Sequence, residues 1–576
     1  MTRFTLGALL AASTAVAHAH PGHPTGPEGD RPAIAEVIYL NANVYTADDG
    51  TPRAEAFAVA GGEFVAVGSR AEVEHHRGEY TETVDLRGLT VLPGLIDAHG
   101  HLTGLGAIRL GVIDLAGTTS YQQVIDRVVE QAERTPEGEW VLGRGWDHES
   151  WPERELPTHD ELSAAVPDHP VWLGRVDGHA ALANAAAMEA AGVDADTASP
   201  EGGEVLKDED GRPTGVFVDN AEGLVERVVP AGARGRMDDM ILAGQQACFE
   251  VGLVSVQDMG GSPGGVEVYR RLEREGLLKL RMDLSLSANY AVRYFEENAP
   301  QHADASDGER VSVRAAKLYV DGAMGSRGAW LLEPYEDRPV GPGGEPYVGL
   351  AVMQPDLIEF ISRHGLQRGY QLRVHAIGDR GNREVLDAFE RAAASTGEDL
   401  AAARFRVEHA QLLDPEDIPR FAEMGVIASM QATHATSDMR WVRDRVGPDR
   451  ALGAYAWGDL LRSGAVIAGG SDFPVESHNP FLGFYASITR QNSTGWPSGG
   501  WYPGQRMTRE ETLRSMTIDA AFAGFAEDVR GSISEGKRAD FIVIDRDVMT
   551  VEPAEILDTR VLRTVIDGEE VYRAGR

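Results

Sequence analysis

Residues 91–102, VLPGLIDAHGHL, place two histidines, His99 and His101, directly after a run of apolar residues. Side chains two positions apart on a β-strand point to the same side, so both imidazoles can bind one metal ion. A second H-x-H pair, His18 and His20, lies in a polar leader and is assigned no role. The argument for a metal site therefore depends on the position of the first pair, at the end of a buried strand.

Seven more segments have the composition of buried strands, and helical patterns such as 382–394, 415–424 and 458–463 alternate with them. Eight strands that alternate with helices are typical of a parallel α/β fold closed into a (β/α)8 TIM barrel. The predicted barrel strands are 90–98, 252–258, 280–287, 312–320, 371–375, 405–409, 426–431 and 466–472.

The connection between the first two of these strands is far too long for a loop. We therefore expect a large insert of about residues 103–245 after the first barrel strand. Both ends of the chain differ from the middle, since they contain alternating segments separated by turns, which predicts pieces of a small antiparallel β-structure. These segments are 36–46, 56–68, 83–91, 539–545 and 561–572.

Residues 1–19 contain a basic residue, an apolar run and then small residues, a pattern typical of a secretory signal peptide. The alternative is a short apolar helix of the mature fold. Residues 20–33 are rich in His, Pro and Gly and are predicted to be a flexible leader. We expect the protein to be periplasmic or secreted. No later stretch reaches the ~18 apolar residues of a membrane span, so no membrane insertion is expected after signal cleavage.

The composition narrows the choice of partners and metal ligands. The chain has 90 acidic and 54 basic residues, a formal charge of −36, so its surface repels nucleic acid and we expect no nucleic-acid partner. The expected partner is a small-molecule substrate. A single cysteine, Cys248, excludes an internal disulfide and a cysteine-based zinc site.

Four further polar residues lie at or near the C-terminal ends of predicted barrel strands, where TIM-barrel active sites are found. They are Lys317, His375, His409 and Asp472. For any one of them the alternative is a hydrogen-bonded core side chain. Buried polar groups cost about 1–3 kcal/mol each when unpaired, and one shared metal ion would supply partners for all of them.

The motifs around these residues resemble the amidohydrolase superfamily, in its family-3 branch that includes N-substituted formamide deformylases. The resemblance extends from about residue 34 to 574. It implies that both chain ends join in one β-sandwich, with residues 34–89 and 531–576 flanking a barrel of residues 90–530. The motifs are VLPGLIDAHGHL, KLYVDGAMGSRGAWL, LRVHAIGD, RVEHAQ, ASMQATHATSD, GGSDFPV and GSISEGKRADFIVID.

The resemblance also implies roles for the metal-site residues. His99 and His101 would bind one metal, and His375 and His409 a second. Lys317 would match a lysine that is carboxylated in many relatives and bridges two metals; the alternative is a lysine salt-bridged to Asp321 or Asp472. Asp472 would bind metal or act as general base. One or two zinc ions are expected, although the same ligands also suit manganese, iron or cobalt.

Several residues are candidates for contact with substrate. Trp146 and His148 lie in a GWDH motif of the insert, and Arg175 and His179 in RVDGHAALAN; the alternative is that they tie the insert to the barrel. His434 is predicted to donate to the substrate or its oxyanion, with a structural hydrogen bond as the alternative. Asp321 and Ser326, which follow Lys317, are the remaining candidates, and Met324 and Arg327 are expected to line the pocket as well.

The expected reaction is hydrolysis of a linear non-peptide C–N bond, in an amide or formamide, by a metal-activated hydroxide. The same site could instead hydrolyse a lactone, carbamate or phosphoester. A catalytically inactive periplasmic binding protein is the alternative from another class. Analogy with the family suggests a homodimer, which no feature of the sequence supports independently.

Overall fold

The computed structural model describes residues 33–230, 232–233, 235–301, 309–341 and 343–575. The predicted signal peptide and residues 20–32 of the predicted leader lie outside the described residues. Within these described ranges, no helix is both long and apolar enough to cross a membrane.

Eight parallel strands form a nearly closed barrel, which confirms the predicted α/β class and barrel. The last strand meets the first through two backbone hydrogen bonds. The amide of Asp472 donates to the carbonyl of His99 at 2.7 Å, and the amide of His101 donates to Phe473 at 2.8 Å. In chain order, barrel strands 1 to 8 are Leu95–Gly100, Leu253–Gly261, Arg281–Ser287, Val311–Tyr319, Gln371–Ala376, Arg406–His409, Ile427–Gln431 and Ile467–Gly470.

The predicted strand 90–98 is in fact two strands that belong to different sheets. Thr90–Pro93 pairs antiparallel with Phe541–Ile544 near the other end of the chain, and only Leu95–Gly100 enters the barrel. Gly94 lies between them, and a Cβ there would approach Val254 to 2.5 Å. A glycine is therefore required where the chain passes closely over barrel strand 2.

Strands from both chain ends combine in two sheets beside the barrel. Their shared core includes Tyr39, Phe57 and Phe541, with the Phe57 and Phe541 ring centroids 4.9 Å apart. The predicted segment 36–46 is split between the two sheets. One sheet has the order Glu63–Gly68, Ala56–Ala60, Val37–Leu40, Glu82–Asp85; the other has the order Glu569–Arg573, Val561–Ile566, Phe541–Ile544, Thr90–Pro93, Asn43–Tyr45, Arg53–Ala54.

Between barrel strands 1 and 2 the chain forms a separate six-stranded sheet. Helices Leu102–Arg109 and Met237–Glu250 precede and follow it, and they approach so closely that a Cβ on Gly106 would lie 1.8 Å from the carbonyl oxygen of Met240. The sheet order is Gly203–Lys207, Pro213–Asp219, Ala180–Ala183, Val171–Arg175, Val141–Trp146, Ile113–Asp114. Its helices are Tyr121–Ala132, His159–Ala165, Ala185–Ala191 and Gly223–Glu226, with a 3-10 turn at His148–Ser150.

The other helices mostly connect successive barrel strands, as the predicted alternation requires. They are Pro263–Arg274, Ala288–Glu297, Pro355–Arg368, Asp379–Thr396, Leu400–Ala403, Ile418–Met424, Ala432–Asp438, Val442–Arg450, Trp457–Ser463, Pro480–Thr489, Arg509–Ser515 and Ile518–Ala523, together with Arg70–Glu74 near the start. Short 3-10 segments also lie at Ala451–Gly453, Pro503–Gln505 and Pro553–Asp558.

Candidate metal centre

The predicted histidines meet at the C-terminal end of the barrel. The ring centroid of His409 lies 4.8 Å from that of His99 and 4.6 Å from that of His375. The His101 ring is 5.7 Å from His99 and is partly exposed, whereas the other three are buried. Strands 1, 5 and 6 thus bring together imidazoles that are far apart in the chain.

Two of these rings are held through Nδ1, which leaves Nε2 available. His99 Nδ1 lies 2.6 Å from Glu408 Oε2, and His409 Nδ1 lies 2.7 Å from Gln431 Oε1. Because both acceptors are oxygens, each Nδ1 carries the proton and each Nε2 carries the lone pair; that of His99 also contacts Lys317 Nζ. Metal-binding histidines are commonly fixed in this way by a carboxylate or carbonyl behind them.

His375 is oriented the other way. Its Nε2 is 3.5 Å from the carbonyl oxygen of Gly322, so Nδ1 is the nitrogen left to face the centre. Burial and the neighbouring cations hold the pKa of His375 well below its usual range. The ring is therefore neutral, which is the form that binds a metal.

Asp472 connects the two halves of the centre. Its Oδ1 lies 3.1 Å from His101 Nε2 and 3.6 Å from His99 Nε2, while its Oδ2 lies 3.8 Å from His434 Nε2. Burial alone would raise the pKa of this carboxyl group, but the surrounding imidazoles hold it well below its usual range. Asp472 is consequently an anion placed among potential ligands.

The donor set fits a divalent cation. Two groups have ligand atoms within 4.8 Å of one another: His99, His101 and Asp472, and His409, His434 and Asp472. The buried Nε2 of His434 has no hydrogen-bond partner among the described residues. An unpaired buried polar atom is costly, and a metal or substrate atom would relieve that cost. His434, predicted as a substrate contact, thus also has the position of a ligand.

Lys317 lies beneath the imidazoles on barrel strand 4. Its Nζ is 3.3 Å from His99 Nε2, and burial lowers the pKa of the amine to about 8. Among the described residues neither Asp321 nor Asp472 forms an ion pair with the amine, although the charges of Glu408 and Asp472 partly oppose the effect of burial on its pKa. A lysine with this pKa is in part a neutral amine near pH 8.

Two site residues have left-handed backbone conformations. The φ angle is 74° at His409 and 60° at Asp472. Such angles are uncommon outside glycine and cluster at functional sites. On strand 6 the turn at His409 has a direct effect: Glu408 already faces the interior, and the change in φ brings the next side chain to the same side.

A cavity of about 820 Å³ opens above this centre. His375, His409, His434 and Asp472 line its floor, and Met324, as expected, lines it too. Arg175 and His179 line it from the insert. The Arg175 guanidinium pairs with Asp147 at 2.7 Å and with Asp177, so its charge is already balanced.

Four of the predicted substrate contacts do not line the cavity. Trp146 is fully buried in the core of the insert, where its Nε1 donates to the Leu173 carbonyl at 2.7 Å. His148 is buried as well, and its Nδ1 accepts from Arg175 at 3.3 Å. Both side chains therefore make structural contacts inside the insert rather than the contacts between insert and barrel that were the alternative for them.

Asp321 and Ser326 also have structural positions. The Asp321 carboxylate accepts from the backbone amides of Trp330, Ile377 and Gly378 at 2.8–3.0 Å, and burial raises its pKa to about 7. Asp321 thus ties together the loops after strands 4 and 5. Ser326 donates to the carbonyl of Ala323 at 3.2 Å. Arg327, expected to line the pocket, does not line the cavity and pairs instead with Asp337 at 3.0 Å.

Three residues that contact the predicted site residues were not predicted from the sequence. Glu408 and Gln431 hold His99 and His409, and Asp219, at the end of an insert strand, holds His179 at 2.7 Å. Glu408 lies in the RVEHAQ motif and Gln431 lies in the ASMQATHATSD motif. Each is close in sequence to a predicted site histidine, and this proximity could have identified both residues. No comparable signal marks Asp219.

Comparison with known proteins gives consistent matches over most of the chain. A model described as the amidohydrolase family matches residues 82–572. YtcJ of Bacillus subtilis, which is named as a candidate amidohydrolase, is 32% identical over 93% of this chain and 99% of its own length. The N-substituted formamide deformylase of Arthrobacter pascens is 28% identical over 93% and 98%. An uncharacterized metal-dependent hydrolase from Pyrococcus horikoshii OT3 has a TM-score of 0.71 and 27% identity, over 90% of this chain and 99% of that one.

Proposed function

The chain belongs to the amidohydrolase family, and from this premise we propose that it hydrolyses a linear, non-peptide C–N bond in an amide or formamide. The observation that carries the proposal is the convergence of His99, His101, His409 and Asp472 around one point at the barrel mouth. The similarity to a formamide deformylase supports the choice of bond.

The metal we propose is zinc, in one or two ions. Imidazole and carboxylate donors without cysteine suit it. Lys317 would complete the centre after reaction with carbon dioxide, when the new N–C bond forms a carbamate and one proton leaves the amine. The lowered pKa of Lys317 supports this step, because only the neutral amine attacks carbon dioxide.

A divalent metal bound here supplies a Lewis acid, which makes water a nucleophile near neutral pH. Asp472 accepts a proton from the attacking water as the water oxygen bonds to the carbonyl carbon. It returns that proton to the nitrogen when the C–N bond breaks, so the products are an acid and an amine. His434, whose Nε2 has no hydrogen-bond partner among the described residues and whose side chain lines the cavity, donates to the carbonyl oxygen as negative charge develops there.

The cavity supports a substrate larger than a simple formamide. Its volume of about 820 Å³ is within the range of pockets that enclose drug-sized ligands. We therefore propose an amide with a bulky substituent on nitrogen or carbon.

The test is elemental analysis combined with matched substrates that differ only in the scissile bond. We expect about one to two metal equivalents per chain, fewer in Lys317→Ala, and faster turnover of the amide than of the lactone, carbamate or phosphoester. The control is Lys279→Ala, since Lys279 pairs with Glu569 on the surface, 2.9 Å away. A chain with less than about a tenth of an equivalent after growth with added metal would contradict the proposal.

A further inference from the structure

The insert contributes a fixed imidazole to the cavity. His179 Nδ1 lies 2.7 Å from Asp219 Oδ1, and the backbone amide of Asp219 donates to the His179 carbonyl at 3.1 Å. The amide of His179 in turn donates to Asp177 Oδ1 at 3.2 Å. The ring is thus held through both its backbone and its side chain.

The Asp219 carboxylate is buried in a space that the absence of side chains on two glycines leaves open. Its side chain is 1% exposed, and its Oδ2 has no hydrogen-bond partner in the described residues. A Cβ on Gly322 would lie 2.3 Å from Oδ2, and one on Gly328 would lie 2.5 Å away. Both glycines follow Lys317 on the barrel side, so the barrel leaves room for an acid supplied by the insert.

The backbone of Asp219 is also unusual. Its φ angle of 51° ends the strand Pro213–Asp219 in the left-handed region, which is unfavourable for an aspartate unless the surroundings require it. A buried, half-satisfied carboxylate with a strained backbone is costly for stability alone. Its one side-chain partner that reaches the cavity is His179.

The position of the His179 ring relative to the metal centre indicates what it does. Its centroid lies 4.7 Å from that of His375, which lies 4.6 Å from His409, which lies 5.8 Å from His434. His179 and His434 are therefore the first and last members of a series of four neighbouring imidazoles. Since Asp219 occupies Nδ1, the Nε2 of His179 is the atom available to the cavity.

We propose that Asp219 is a positioning residue that holds His179 with Nδ1–H toward the carboxylate and Nε2 toward the substrate. His179 then contacts the part of the substrate that His434 does not contact. In this arrangement the insert supplies one residue of the active site. This inference rests on the proposed amide hydrolysis. A role for His179 as metal ligand is the competing outcome.

The experiment compares Asp219→Asn and His179→Gln with His159→Asn, which alters another insert histidine whose Nδ1 contacts Ser163. An asparagine can present its NH2 group to Nδ1 and so favours the opposite tautomer. We expect kcat to fall about 10²–10⁴-fold in Asp219→Asn and His179→Gln, with metal content unchanged and the control active.

Imidazole ¹⁵N spectra of the metal-loaded protein supply a readout that a purely structural role would not change. We expect the His179 signals, assigned by their loss in His179→Gln, to show Nδ1–H in the wild type and to change in Asp219→Asn. Unchanged signals or unchanged kcat in Asp219→Asn would overturn the inference, as would metal loss in His179→Gln. If the wild type binds metal and cleaves no amide, the proposed function is wrong. The spectra still test which nitrogen of His179 carries the proton.

Discussion

Glu408 Oε2 lies 2.6 Å from His99 Nδ1, and this contact joins the metal centre to a layer of buried charge beneath it. The other oxygen of Glu408 lies 2.8 Å from Arg406 Nε, and Arg406 also donates to the carbonyl of Ala98 at 2.6 Å. Burial opposes ionisation of Glu408, but Arg406 and Lys317 hold its pKa below its usual range. The side chain is therefore an anion that fixes the His99 ring.

We predict that Glu408→Gln weakens metal binding by about 10–100-fold, the usual effect of removing a group that orients a ligand. The amide can no longer accept as strongly from His99 Nδ1, so the ring loses its fixed orientation. Competition with a chelator measures the affinity. Glu359→Gln, which removes a partner of Arg391 on the surface, is the matched control and should bind metal as the wild type does. Equal affinities in the two variants would contradict the prediction.

Asp472→Asn tests the proposed proton acceptor. We expect it to keep most of the metal while kcat falls by about a thousandfold or more, because an amide accepts no proton from water. Steady-state kinetics and elemental analysis on the same preparation provide both readouts. Retained turnover at unchanged metal content would exclude Asp472 as the base.

We expect the stability of the folded protein at acidic pH to depend on His478. Burial and the nearby Arg109 lower the pKa of His478 to about 4, although Glu250 and the backbone of Ala247 oppose this. The unfolded chain, with an ordinary pKa near 6.5, binds the proton more readily between about pH 6.5 and 4. The contribution of His478 to the free energy of unfolding is therefore fully present above about pH 6.5 and is lost as the pH falls toward about 4.

We expect His478→Gln to show a smaller drop in Tm than the wild type between about pH 7 and pH 5. Thermal unfolding followed by circular dichroism at the two pH values measures this difference. A drop as large as that of the wild type would show that other groups account for the acid sensitivity.

Gly106→Ala should destabilise the protein although alanine is the better helix former. The new methyl group would meet the Met240 carbonyl at 1.8 Å, and such overpacking costs about 1–3 kcal/mol. Gly264→Ala is the control, because Gly264 is an exposed helical glycine where a Cβ would meet only Ser262 Oγ, at an ordinary contact distance of 3.9 Å. Chemical denaturation of both variants should show a loss for Gly106→Ala and no loss for Gly264→Ala; equal stabilities would contradict the close contact of the two helices.

The barrel was predictable from sequence because its strands are short, largely buried and separated by helical patterns, although several of them also carry buried polar residues such as Asp283 and Arg373. Arg281–Ser287, Gln371–Ala376 and Ile427–Gln431 are all within one residue of their predicted bounds. The convergence of the histidines was predictable because buried imidazoles at several strand ends need polar partners, and the C-terminal ends of barrel strands lie close together. Only the first strand was misplaced, because its apolar run continues through Gly94 into a neighbouring sheet.

Residues whose role depends on a single backbone angle or a distant partner were not predictable. Alternation would place Glu408 and His409 on opposite faces, and only the left-handed φ of His409 brings both inside. Trp146 was expected to contact substrate, yet a tryptophan fills a core as well as a pocket. Asp219 has no neighbour in sequence that marks it, because its partner is 40 residues away.

The pairing of Thr90–Pro93 with Phe541–Ile544 also has a consequence during synthesis. The second strand leaves the ribosome about 450 residues after the first, which at about 5–20 residues per second is a delay of roughly 20–90 s. Throughout that time the first strand has an unpaired edge. Nascent chains of this protein therefore need protection from aggregation until the C-terminal strands are synthesised and pair with this edge.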